Sequence, residues 1–204
     1  MTLKDNFASL KFHYTHCKLS VLTLQSIQSN QDHLNFVQLS DDFFNTATFS
    51  RSLSSQIFRY SIIQFVSFLD EYASFNNSLD DKLEKIIDVR KKNSWGLKMI
   101  NKKWPDLRKY RNNIVAHNFN INGQSFFSNY ENKKHEYRVP GNLNEQLFLI
   151  KIFEKICSNI YFEFETILQD TTFHQQNLDE NLKIIIDENF DLINEIKFIE
   201  VNMN

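Results

Sequence analysis

Residues 142–168 read NLNEQLFLIKIFEKICSNIYFEFETIL. Leu147, Ile150, Phe153, Ile156, Ile160, Phe164 and Leu168 recur every three or four residues, the period of one helix face, with Ile152 beside them. Asn142 and Glu145 have capping-box spacing, so the helix is expected to begin just after Gly141. The same periodicity appears upstream. Phe7, Leu10, Tyr14, Cys17, Val21 and Leu24 predict a helix over 5–29. Phe44, Phe58, Ile62, Phe65, Phe68 and Leu69 predict a second, from Ser40 or Asp41 to about Phe75. Ser78-Leu79-Asp80-Asp81 resembles a capping box for a third, bearing Leu83, Ile86, Ile87 and Val89 to about Ser94, with Gly96 marking a stop or bend. Asn177 and Glu180 repeat the cap spacing before a last helix with Leu182, Ile185, Ile186, Phe190 and Ile193.

The 204 residues contain 3 Gly and 2 Pro, residues that sheet proteins spend on turns, so the scarcity also favours helices. Twenty Phe imply a core filled by rings. The fold class expected is all-α: a single helical domain over 1–204, arranged as a bundle of five to seven helices. Within it, 1–39 form an N-terminal helical extension, 40–170 the core and 171–204 a C-terminal helix. Residues 119–141 are the least helical stretch. Asn122-Gly123 between Phe119/Ile121 and Phe126/Phe127 allows a small hairpin, and a long polar loop is the alternative.

Cys17 and Cys157 form no CxxC; two reduced, buried thiols or one disulfide both fit. His13, His16 and Cys17 could ligate a metal from one helix face, but Cys17 falls on the apolar stripe and no fourth ligand is evident, so no metal and no cofactor are expected. No secretory h-region and no run of about 18 apolar residues is present, which points to a cytoplasmic protein without a membrane partner.

The net charge of −2 hides a split. Residues 90–111 carry nine basic side chains against one acid, Asp106, and the remainder of the chain is acidic. Trp95, Trp104 and Tyr110 lie in the same window. Lys98, Lys102, Lys103, Arg108 and Lys109 could track phosphates while Trp104 or another ring stacks a base, so RNA is a candidate partner. A solvated charged face with core tryptophans is the plainer reading of the same window. The acidic positions Asp187, Glu188, Asp191 and Glu195 form a second solvated face or a shield for the basic window.

Pro105 fits the first position of a helix running to about Asn118. Residues 107–118 read LRKYRNNIVAHN. Arg111, the polar Asn112 and His117 five residues further on, preceded by small Val115 and Ala116, resemble the signature of the HEPN superfamily: Arg, a polar residue, then His on a late helix of an α-bundle. By pattern the resemblance covers roughly residues 40–170; by residue identity it covers only this motif. It is nearest to abortive-infection and toxin-like members.

The resemblance implies a metal-independent endoribonuclease. The 2′-hydroxyl of RNA would attack the adjacent phosphate, His117 would move the proton, Arg111 would hold phosphate oxygens, and Asn112 would orient the phosphate or the imidazole. It also implies a site shared across a homodimer. Helix geometry agrees, because residues 111 and 117 lie about 120° apart around a straight helix and about 9 Å apart along it, so one copy alone makes a poor site. Toxin-like membership leaves room for a neutralising antitoxin protein. Some such members carry a Tyr two residues after the His that a partner enzyme modifies; here that position is Phe119. Two other readings stand beside catalysis: a non-catalytic HEPN module that binds RNA or a partner protein, and an Arg111 that merely pairs with a carboxylate.

Overall fold

The computed structural model describes residues 2–30, 49–79, 84–112, 120–121, 124–125, 137–168 and 192–203. Four long helices form the body: α1 (Leu3–Ser29), α2 (Phe49–Ser78), α3 (Glu84–Lys103) and, after a short α4 (Leu107–Tyr110) and two-residue strands β1 (Asn120–Ile121) and β2 (Gln124–Ser125), α5 (Leu143–Glu163). A four-residue α6 (Glu165–Leu168) follows, and α7 (Leu192–Asn202) closes the described chain. All-α is therefore the class. No described helix is long and apolar enough to cross a membrane.

Side-chain contacts give the topology. Asn6 meets Ser78, His13 meets Gln64 and His16 meets Tyr60, so α1 and α2 are antiparallel. Arg90 bonds the Asn76 carbonyl and Asn93 bonds Tyr72, which turns α3 against α2. Asn93 also meets Asn159, while Lys103 lies over the Phe148 ring, so α5 is antiparallel to α3. The result is an up-down-up-down bundle. α1 is one of its four core helices rather than an extension. It buries Phe7, Leu10, Tyr14, Cys17 and Val21.

The helices start where local chemistry provides partners for orphan amides. Thr2 Oγ1 accepts from the Asp5 amide at 3.2 Å and Asp5 returns the bond to the Thr2 amide at 2.9 Å, a complete capping box that moves the start of α1 ahead of residue 5. At α5, Asn142 Oδ1 accepts from the Glu145 amide at 2.8 Å, the expected cap. Stacked Phe68 and Phe153, 4.0 Å between ring centres, with Phe65 edge-on at 6.1 Å, mark the middle of the core. Each fully buried ring contributes roughly 1.5–3 kcal/mol by transfer from water.

Three boundaries differ from the sequence reading. α3 does not stop near Gly96 but runs through it to Lys103. A Cβ at Gly96 would lie 2.7 Å from Met203 Sδ and 2.8 Å from Ile152 Cγ2, so this glycine admits close helix packing rather than a bend. Pro105 is not the first helical residue; it sits in the turn after Trp104, and α4 opens at Leu107. α2 does not end near Phe75 but runs to Ser78, whose hydroxyl donates to the Phe75 carbonyl and accepts from Asn6. Ile87, expected in the core, is exposed, because it lies about 100° and 160° around α3 from the buried Ile86 and Val89 and so on a different face.

The hairpin alternative holds in part of 119–141: β1 and β2 pair antiparallel, Asn120 with Ser125 and Ile121 with Gln124, around Asn122-Gly123. The start at Ser40 or Asp41, the capping-box positions Asp80 and Asp81, the start at Asn177, and the core candidates Phe44 and Leu83 lie outside the described residues.

Candidate functional site

α4 is a single turn, too short to hold itself, and tertiary contacts fix it. Trp104 and Leu107 are buried, Trp104 against Phe148. The segment from Tyr137 closes the other side. Asp106 Oδ2 accepts from the Arg138 amide at 2.9 Å, and the Tyr110 and Tyr137 rings meet edge to face at 5.5 Å. Lys109 lies 5.3 Å over the Tyr137 ring. With its apolar side anchored, α4 presents Arg108 and Lys109 outward. The chain then widens through Arg111 and Asn112, with Arg111 still at helical angles, φ −52°, ψ −51°.

Arg108 and Arg111 converge on one carboxylate. Arg108 Nε donates to Asp70 Oδ1 at 3.0 Å, and Arg111 Nη1 donates to Asp70 Oδ2 at 3.0 Å. Arg111 Nε also donates to Asn112 Oδ1 at 2.9 Å. Asn112 thus orients the guanidinium of its neighbour. Asp70 comes from α2, 41 residues earlier, and nothing in the sequence around it marks it. An acid at the end of an apolar helical run is ordinarily a solvated residue; only the docking of α4 brings two guanidinium groups to it. The side chain of Arg111 is 28% exposed and that of Asp70 45%. A pair this open is worth about 0–1 kcal/mol, weak enough for a phosphate to displace.

The remaining basic candidates divide by role. Lys98 and Lys102 are exposed on α3, one turn apart. Lys103 is half-buried, paired with Glu195 of α7 at 2.9 Å. Glu195 therefore shields part of the basic window from within the chain, while Asp187, Glu188 and Asp191 lie outside the described residues. Arg90 and Lys92 also bind within the fold, to the Asn76 carbonyl and, at 4.0 Å, to Glu163. Trp104 is 3% exposed and cannot stack a base, so the plainer reading is correct for it. Tyr110 and Trp95 are half-buried against the same core. His117 belongs to 113–119, outside the described residues.

Among the described residues no cluster could hold a metal ion. His13 bonds Gln64, His16 bonds Tyr60 Oη at 2.8 Å, and Cys17 is turned into the core. Cys17 and Cys157 are both free thiols. Burial, and then the neighbouring sulfur for Cys17 and Glu154 for Cys157, pushes both thiols well above their ordinary value, so neither is a nucleophile in the folded protein.

Compared with protein-family models, curated proteins and solved structures, the chain matches none.

Proposed function

We propose that this chain is a metal-independent endoribonuclease of the HEPN type, acting as a homodimer. The observation that carries the reading is Arg111: a partly exposed guanidinium held by Asp70 and Asn112, beside a second arginine, at the entry to the segment that bears His117. Such a fork suits a phosphodiester, since a guanidinium can hold two phosphate oxygens and offset the extra charge of the pentacoordinate transition state. The nucleophile is the substrate's own 2′-hydroxyl, and His117 from the facing protomer moves its proton. The products are a 2′,3′-cyclic phosphate and a 5′-hydroxyl, so DNA is not cut. Lys98, Lys102, Arg108 and Lys109 supply phosphate contacts. A toxin or antiphage effector of abortive infection, restrained in the cytoplasm by a neutralising protein, is the biological role this chemistry fits.

One observation favours the second reading, a non-catalytic HEPN module that binds RNA or a partner protein: Arg111 already has a carboxylate partner. Purified protein incubated with mixed RNA in EDTA separates the two. Cleavage that disappears in both Arg111→Ala and His117→Ala supports the nuclease. Intact RNA that is nevertheless retained in a salt-sensitive way supports the binding module, and cleavage that survives His117→Ala refutes the proposed chemistry.

A further inference from the structure

The N-terminal end of α5 borders a cavity of about 220 Å³ that touches none of the residues of the Arg111 site. Leu24 of α1, Phe58 of α2 and Leu143 of α5 give it apolar walls, and Ser54, Ser55 and Gln28 contribute polar groups. Gly141, Asn142 and Gln146 complete the lining, and Gln146 is 1% exposed. Its Nε2 donates to the Pro140 carbonyl at 3.5 Å, but its Oε1 accepts no hydrogen bond. A buried amide oxygen without a donor is an unusual state, because folded proteins pair nearly all such atoms. The last torsion of a glutamine is soft, so this oxygen is free to turn toward a molecule in the cavity it lines.

The lining states what that molecule is. No Lys or Arg contributes to it. The positive end of α5 is already answered: Glu145 Oε2 accepts from the Gly141 amide at 2.6 Å and Asn142 caps the helix. That carboxylate repels an anion, so a phosphate is excluded and a neutral ligand is favoured. Binding cavities for drug-sized molecules run to roughly 300–1,000 Å³, so this one takes a fragment. The open valence is an acceptor, so the fragment needs an N–H or O–H donor; Phe58, which lines the cavity, supplies an aromatic ring for it to pack on.

We propose that this cavity binds a nucleobase, whose amine or ring N–H donates to Gln146 Oε1 while its face lies against Phe58. The proposal does not need the nuclease reading, since it concerns occupancy and not cleavage. A free nucleoside and a base of a single strand present the same chemistry.

Equilibrium dialysis of the full chain tests it, with adenosine, cytidine, inorganic phosphate and hexa-adenylate as probes. At least one nucleoside is retained at millimolar concentration and phosphate is not. Gln146→Leu, which removes the acceptor at similar volume, weakens retention about tenfold. Ser55→Trp, on an exposed position at the rim, blocks it with an unchanged circular dichroism spectrum. Competition by hexa-adenylate assigns the site to a strand, and its absence to a free nucleoside. Failure of the wild-type chain to retain either nucleoside, retention of phosphate, or retention unaffected by both substitutions overturns the proposal.

Discussion

Asp70 places one carboxylate between Arg108 and Arg111, with 3.0 Å contacts to each. At this exposure the pair adds little stability, so its effect is on direction: it fixes where the guanidinium of Arg111 points. Arg111→Ala is expected to lower RNA cleavage in EDTA by a hundredfold or more, while urea unfolding shifts by less than about 1 kcal/mol. Asp70→Asn separates positioning from charge. Turnover is expected to fall about tenfold through a less ordered Arg111, yet RNA retention, measured by filter binding, should not weaken, because a negative charge has left the patch. Weaker retention in Asp70→Asn would show that Asp70 does not compete with phosphate.

Between elements, two devices lock the bundle that carries this site. Gly96 lets α3 approach Met203 and Ile152. Gly96→Ala gains helix propensity, but its methyl meets a branched side chain at 2.8 Å, so overpacking by about 1–3 kcal/mol outweighs a gain of about 1 kcal/mol. Urea unfolding should therefore show a net loss; a stabilised variant would mean that Ile152 gives way freely. Nearby, Asn159 Nδ2 donates to Asn93 Oδ1 and to the Met203 carbonyl, each at 2.9 Å, and Asn93 donates to Tyr72 Oη at 3.1 Å. This buried chain ties α2, α3, α5 and the residue after α7 in one register. Asn93→Ala leaves partners unsatisfied and is expected to cost about 1–3 kcal/mol, against well under 1 kcal/mol for a surface change such as Lys98→Ala.

For the molecule as a whole, pH and association provide the tests. Cys17, Cys157 and Tyr14 are held neutral, chiefly by burial, with their affinities for the proton raised. In the unfolded chain the thiols ionise near their ordinary value of 9.0. A group whose folded value is raised stabilises fully below the unfolded value and loses that contribution as pH climbs above it. Stability should thus be level from pH 7 to about 8.5 and fall beyond about 9. A Cys17→Ala, Cys157→Ala double variant should flatten the decline; an unchanged alkaline slope would assign it elsewhere. If the proposed site is shared between two copies, sedimentation of the intact chain should give a dimer, since on a straight helix positions 111 and 117 would fall on different faces. A strict monomer that still cleaves RNA would refute the shared site.

The class and the long helices were legible in the residue order. Apolar spacing in α1, α2 and α5 is a local signal, and side chains three or four apart must share a face whatever else the chain does. The cap at Asn142 and the strand pairing about Asn122-Gly123 are local for the same reason. The motif Arg111-Asn112 was readable as a string, but not its surroundings. Trp104 looked like a stacking platform because composition cannot tell an inward ring from an outward one. Gly96 looked like a stop because the side chains that demand a glycine come from Ile152 and Met203. Asp70 carries no mark in the sequence, and only the docking of α4 brings Arg108 and Arg111 to it. These three outcomes depend on which residues distant in the chain become neighbours, and close packing settles that only when the whole bundle has formed.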